Sequence, residues 1–268
     1  MSDKLQLVVA RRQTESLSDM PSGKTILTDR ELLQKFASRQ PLGSASEVPP
    51  EDALIDPSEI EDFLNISSAK LQEAELSDIL RRAIKFLLQS PDADIEVQFI
   101  SFYAALESAL TFFRRNSEFR IIPKDQFATL ERDLRQWLKQ HPLMVDDSAR
   151  RGLIYEKIRE LNRIPFSHMF RRFCEHYSLD LSDLWPVVGS ADEWPLMEIR
   201  HRLVHGDPFA SCPGESMICA GEHLRWTVER MLLVVLGWPV TRSNVSDDYL
   251  RRTSYMYKEW RAERVKFA

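Results

Sequence analysis

The segment from Asp94 to about Asn116 constrains the fold most, because its run Phe99-Ile100-Ser101-Phe102-Tyr103-Ala104-Ala105-Leu106 is apolar on more than one side of a helix. Such a helix has to be surrounded by others. The neighbouring segments supply them. Leu71 to Gln89 carries Leu76, Ile79, Leu80, Ala83, Ile84, Leu87 and Leu88 at helical period, and Pro91 ends it. Phe127 to Gln140 follows Pro123. Ser148 to Leu161 is amphipathic with Leu153, Ile154, Ile158 and Leu161 expected inward. Pro165 to Tyr177 has the core stripe Phe166, Met169, Phe170 and Phe173. Asp180 to Val188 reads as a short helical turn anchored by Trp185, Gly214 to Gly237 as a long helix buried in its second half, and Asp247 to Phe267 as one amphipathic helix. The expectation is an all-α protein.

Residues 1–57 differ. Leu5 to Ala10 could form a strand and Asp29 to Ser38 a helix, but Gln40 to Pro57 is rich in Pro, Ser, Gly and acidic residues. This stretch reads as a poorly structured arm and linker that packs on the helical body or on a partner. Residues 58–268 form the helical domain, with Ser58 to about Leu64 as its first helix and its core at about 94–238.

A hydrophobic share of 43% supports a sizeable core, while the formal net charge of −5 excludes a protein that coats nucleic acid by bulk attraction. It does not exclude a local basic cleft, for which Arg114-Arg115, Arg150-Arg151, Arg171-Arg172 and Arg251-Arg252 are candidates, although each pair is also what a solvated helix face looks like. No apolar run is long enough to cross a bilayer and Met1 to Ala10 lacks a signal-peptide core, so no membrane is expected and the cytoplasm is the default. Cys174, Cys212 and Cys219 have no CxxC spacing and read as reduced thiols rather than, with His176, a zinc site.

The chemistry concentrates in Leu196 to Pro208. Leu196, Ile199 and Leu203 repeat at helical spacing, and Gly206 followed by Pro208 stops the helix near His205. Arg200, always charged, offers a planar fork of donors suited to phosphate oxygens. His205 carries an imidazole, a side chain that can move a proton either way. Together they suffice for RNA cleavage without a metal: the histidine handles the protons of the 2′-hydroxyl and the leaving 5′-oxygen, and the arginine stabilises the phosphorane charge. Five residues on an ideal helix span about 140° of rotation, so Arg200 and His205 share one site in one chain only if the last turn unwinds. Arg202 lies about 200° from Arg200 and is expected to face away or toward a dimer partner.

Arg200, His201, three residues and His205 resemble the R-x4-6-H signature of HEPN domains, with His201 at the polar position after the arginine. Phe99 to Leu110, with its alanine-leucine-glutamate run, resembles the early helix of the HEPN domain in ApeA-like defence proteins. The resemblance implies an antiparallel helical bundle, here with extra helices, and a homodimer whose two motifs build one composite RNase site. It further implies RNA as substrate, a toxin or antiviral-defence role, an antitoxin or activator protein as a possible partner, and no metal or cofactor. Arg200, His205 and His201 would be catalytic, with Glu107 and Arg202 binding or supporting; Glu107 would be a buried carboxylate orienting Arg200 or pairing structurally with another arginine.

Two other readings stay open. The family includes inactive modules that bind RNA, nucleotide or a protein. Alternatively His201 and His205, at i and i+4, could hold a metal with Glu198 or Glu107. His168 and His176 could touch RNA, Glu222 and His223 could reach the site across the loop, and the aromatics and cations of residues 247–267 could stack bases or cover the bundle or a dimer partner.

Overall fold

Helix α4 (Ile95–Arg115) is the axis of the molecule: Phe99, Leu106, Ala109 and Leu110 are at most 1% exposed, and other helices pack on more than one of its sides. The computed structural model describes residues 27–43, 48–73, 77–89, 93–115, 120–141, 148–207, 209 and 214–267, and these are all-α, with no strand among them. The remaining helices are α1 (Asp29–Ala37), α2 (Ile60–Glu73), α3 (Ser77–Leu87), α5 (Lys124–Gln140), α6 (Ser148–Glu160), α7 (Phe166–His176), α8 (Leu196–His205), α9 (Gly214–Val235), α10 (Asp247–Thr253) and α11 (Tyr255–Arg264). Helix α4 lies chiefly between α3 and α9, and α7 and α8 close its other sides.

Several elements differ from the expected ones for identifiable reasons. The segment read as one helix from Leu71 to Gln89 is split: Leu71 belongs to α2, because Phe63, Leu64, Ser67 and Leu71 keep an inward row at helical period in which a fully buried serine replaces an apolar residue. The segment 180–188 holds turns rather than a helical turn, although Trp185 is the expected anchor at 1% exposure. The last amphipathic stretch is two helices meeting at Ser254, whose N–H donates to the Leu250 carbonyl while its hydroxyl accepts from the Tyr257 N–H. The corner turns Tyr257, Trp260 and Phe267 into the core, which covers the bundle as one reading foresaw.

The arm is structured where it is described. A capping box of Thr28 and Glu31 starts α1, and Leu32, Leu33 and Phe36 join the common core. Leu54 and Ile55, inside the stretch of linker composition, are fully buried, with both N–H groups donating to the Ala37 carbonyl at 2.8 and 3.0 Å. Arg39 ties this region to α9 through two bonds to Glu229 at 2.6 and 2.8 Å. The strand read at Leu5 to Ala10 lies outside the described residues.

Helices α5 and α6 form a hairpin held mainly at its base. Phe127, Ile158 and Ile164 are buried there, whereas Leu153 and Leu161, expected inward, are 65% and 57% exposed. The reason is that α6 packs chiefly on α5, so only one narrow row of it is covered.

A second polar anchor lies in the core. His223 on α9 is fully buried, its Nδ1 accepting from the Trp185 N–H at 3.1 Å and its Nε2–H facing the Met256 carbonyl at 3.2 Å. Those partners select the neutral ring. Burial lowers its pKa to about 4, against the Met256 carbonyl and Asp183, which favour the charged form; Arg230 and Arg261 add to the lowering. The unfolded chain therefore binds this proton first as pH falls. The stabilisation from a neutral His223 is complete above about pH 6.5 and declines toward pH 4, by about 3 kcal/mol in all. Urea midpoints should fall across this window, and His223→Gln should flatten that slope; an unchanged slope would remove His223 as its origin.

Candidate functional site

The site helix α8 is fixed at both ends. The N–H groups of Leu196 and Met197, which a helix start leaves without internal partners, donate to the carbonyls of Pro186 and Val187 at 2.9 and 3.0 Å. That segment is held in turn by His223 and by the Trp185 indole N–H, which donates to the Trp194 carbonyl at 2.8 Å. Trp194 itself adopts a left-handed backbone at φ 50°, a conformation a tryptophan keeps only when packing overdetermines it, and its ring lies among Phe209, Phe267 and Arg202. At the other end Gly206 takes φ 71°, and the Asp207 N–H closes the cap on the Arg202 carbonyl at 3.0 Å.

Because this cap is regular, the last turn does not unwind. Helix α8 continues through His205, so Arg200 and His205 point about 140° apart in one chain. Leu196 and Ile199 face the core; His201, Val204 and His205 face solvent, with Val204 51% exposed. The two imidazoles are neighbours, their ring centroids 4.3 Å apart.

Arg200 leans the other way, onto α4. Its guanidinium lies 5.4 Å from the centre of the Tyr103 ring and 3.6 Å from a Glu107 carboxylate oxygen, close enough for an ion pair and too long for a hydrogen bond. Tyr103 and Glu107 are one turn apart on α4, so a single helix face holds the arginine from below and beside. Glu107 is not the buried carboxylate expected: its side chain is 48% exposed, because this face of α4 lies at the rim. Burial, and secondarily Glu107, raise the Tyr103 hydroxyl pKa above the ordinary phenol value, with Arg200 opposing. Tyr103 was not legible as a site residue, since a tyrosine in an apolar helix reads as core; its position four residues before Glu107 is the one signal that could have marked it.

The other expected participants sort by burial. Arg202 pairs with Glu198 at 3.2 Å and lies 4.4 Å over Trp194, so its work is on the helix and its anchor. His223 is in the core and does not approach the site, and Glu222 sits 3.8 Å from Arg225. His176 packs on Phe113 and Tyr177, while His168 is exposed. Among the described residues no three His, Cys, Asp or Glu side chains gather as a metal would need, which leaves the His201 and His205 pair without further ligands. Cys219 is buried and Cys174 half-buried, both with thiols pushed up by burial, Cys174 to about 11 and Cys219 to about 12; Cys212 lies outside the described residues. No helix among the described residues is long and apolar enough to cross a membrane. No family model, curated protein or solved structure matches this chain.

Proposed function

We propose that the chain is a HEPN-type, metal-independent endoribonuclease, acting in the cytoplasm in a toxin or antiviral-defence role and regulated by an antitoxin or activator protein. The observation that carries the reading is the arrangement on α8. A half-exposed arginine, steadied by Glu107 and Tyr103, and two solvent-facing imidazoles flank an exposed valine on a helix capped firmly at both ends. Since Arg200 and His205 diverge in one chain, the working site needs two protomers, with the Arg200 of one and the His205 of its partner on the same phosphate.

In that site the ribose 2′-oxygen attacks the phosphorus and the bond to the 5′-oxygen breaks. The 2′-hydroxyl proton passes to an imidazole, the leaving oxygen takes a proton from an imidazolium, and the products are a 2′,3′-cyclic phosphate and a free 5′-hydroxyl. Arg200 bears on the phosphorane oxygens, where charge grows. His201, one turn before His205, is placed to assist it.

One observation favours a second reading. The Glu107 carboxylate partly neutralises Arg200, which suits a catalytically inactive module that binds RNA, a nucleotide or a protein. The deciding experiment is incubation of purified protein with total RNA and tRNA in EDTA, with end-group analysis. Cyclic phosphate ends made by wild type and lost in Arg200→Ala and His205→Ala support the nuclease; intact RNA under a folded, dimeric protein supports the module.

A further inference from the structure

A groove leads away from this site, and its charge is not spent among the described residues. It begins where Glu107, Leu110, Thr111 and Arg114, one face of α4, meet Phe166 and Arg163 in a depression of about 460 Å³. Arg114, Arg163 and Ile164 also line the next depression, of about 930 Å³, at the base of the α5–α6 hairpin. That one shares Ala128, Glu131 and Arg159 with a third, of about 550 Å³, which runs on along α5. The shared walls set the three depressions in one row, from the ion-pair partner of Arg200 to the outer part of the hairpin.

Cations predominate along it. Glu131 is taken up by Arg135 at 2.6 Å and Arg159 at 3.4 Å, and Glu160 by Lys157 at 3.0 Å. Among the described residues Arg114, Arg120, Lys124 and Arg163 have no carboxylate partner, whereas arginines elsewhere, such as Arg81, Arg230 and Arg242, are each held by at least one.

The fold also forces two of the four together. Arg120 and Arg163 stand directly opposite each other in an isolated antiparallel bridge, and the Asn162 amide locks that register by donating to the Ile122 carbonyl at 3.0 Å and accepting its N–H at 2.9 Å. Like charges so placed repel and cost stability unless an anion lies between them. In a chain with a formal net charge of −5, this local excess is therefore a feature of the groove and not of composition.

We propose that this groove binds the sugar-phosphate backbone of a single-stranded RNA and leads it toward Arg200, with Arg120 and Arg163 clasping one phosphate and Arg114 and Lys124 holding its neighbours. Guanidinium forks suit phosphate oxygens, and such contacts set position and register without reading bases. RNA is favoured over an acidic polypeptide because the groove opens onto the candidate site. The proposal rests on RNA being the ligand of that site and needs no cleavage there.

Its test separates binding from chemistry. The probe is a labelled oligouridylate, 2′-O-methylated throughout so that it lacks the attacking hydroxyl, titrated with full-length protein across a salt series. Arg114→Gln/Arg163→Gln and Arg120→Gln/Lys124→Gln are each expected to weaken binding about tenfold or more and to make the salt slope shallower by between about 0.7 and 1.4, since each removes the sole cation on one phosphate and one of the two that share another, at roughly 0.7 per phosphate contact. Arg252→Gln/Lys258→Gln, which removes the same charge from the exposed residues of α10 and α11, should change neither. Equal losses in all three variants, or none in the groove variants, would overturn the proposal. So would a wild-type protein, folded by circular dichroism, that binds poly-L-glutamate and not the oligonucleotide. Groove-dependent binding without cleavage of natural RNA in EDTA would sustain the groove and remove the nuclease.

Discussion

Cleavage of RNA in EDTA is expected to fall about 10²- to 10⁴-fold in His205→Ala, the range for loss of a positioned proton-transfer group. Arg200→Ala is expected to lose about 10²- to 10³-fold, as removal of one donor to developing oxyanion charge does. The informative measurement is the mixture. If each phosphate is served by Arg200 from one protomer and His205 from its partner, a dimer of one Arg200→Ala and one His205→Ala chain has one site missing both groups and one site intact. Equal chains exchanging at random give about half such mixed dimers, so about a quarter of the wild-type rate returns on mixing two dead proteins. A site built within one chain gives no recovery, because each protomer keeps its own defect. The regular last turn of α8 is the reason to expect recovery.

The largest expected effect on stability is at Arg230. Its side chain is 3% exposed, both terminal nitrogens bond Asp183 at 2.6 and 2.7 Å, and Nε donates to the Val245 carbonyl at 2.6 Å. Asp183 also accepts from the Tyr257 hydroxyl at 2.7 Å, and the same hydroxyl contacts Asp247. One guanidinium thus fastens α9 to the segment before α8, to the Ser243–Ser246 turn and, through Tyr257, to α11. Arg230→Ala should cost about 3–5 kcal/mol in urea unfolding, most of it from stranding a largely covered carboxylate. Arg230→Met/Asp183→Leu should lose less than the single variant, since two apolar groups leave no buried charge behind. A single-variant loss under about 1 kcal/mol would show that water reaches Asp183 freely and that the clasp matters little.

The all-helical architecture was legible because apolar period survives within each segment, and the central helix announced itself by being apolar on more than one side. Boundaries failed where a polar residue took a core position, as Ser67 does, or where a capping serine let an amphipathic run bend, as Ser254 does. At the candidate site, Glu107 and Arg200 could be named from local pattern, and their ion pair lies between helices far apart in sequence. What local pattern cannot carry is convergence. Of the groove cations only Arg114 stood in a pair that attracts notice; Arg120 and Lys124 read as isolated charges, and the opposition of Arg120 to Arg163 joins segments that no local window contains together, whereas Arg251 of another noticed pair binds locally to Asp247. His223 shows the reverse error, near the motif loop in sequence and buried away from it in space.

The uneven placement of the tryptophans gives the molecule two built-in optical signals. Of its six, Trp185, Trp194, Trp226, Trp238 and Trp260 are buried, and Trp137, on the hairpin, is 45% exposed with His141 stacked on it at 4.3 Å. Emission excited at the red edge, and quenched by acrylamide, therefore comes chiefly from the hairpin. Total emission follows the core. Loosening of the hairpin changes the first and leaves the second, while acid or urea acting on the core changes the second, so one unlabelled sample separates the two regions.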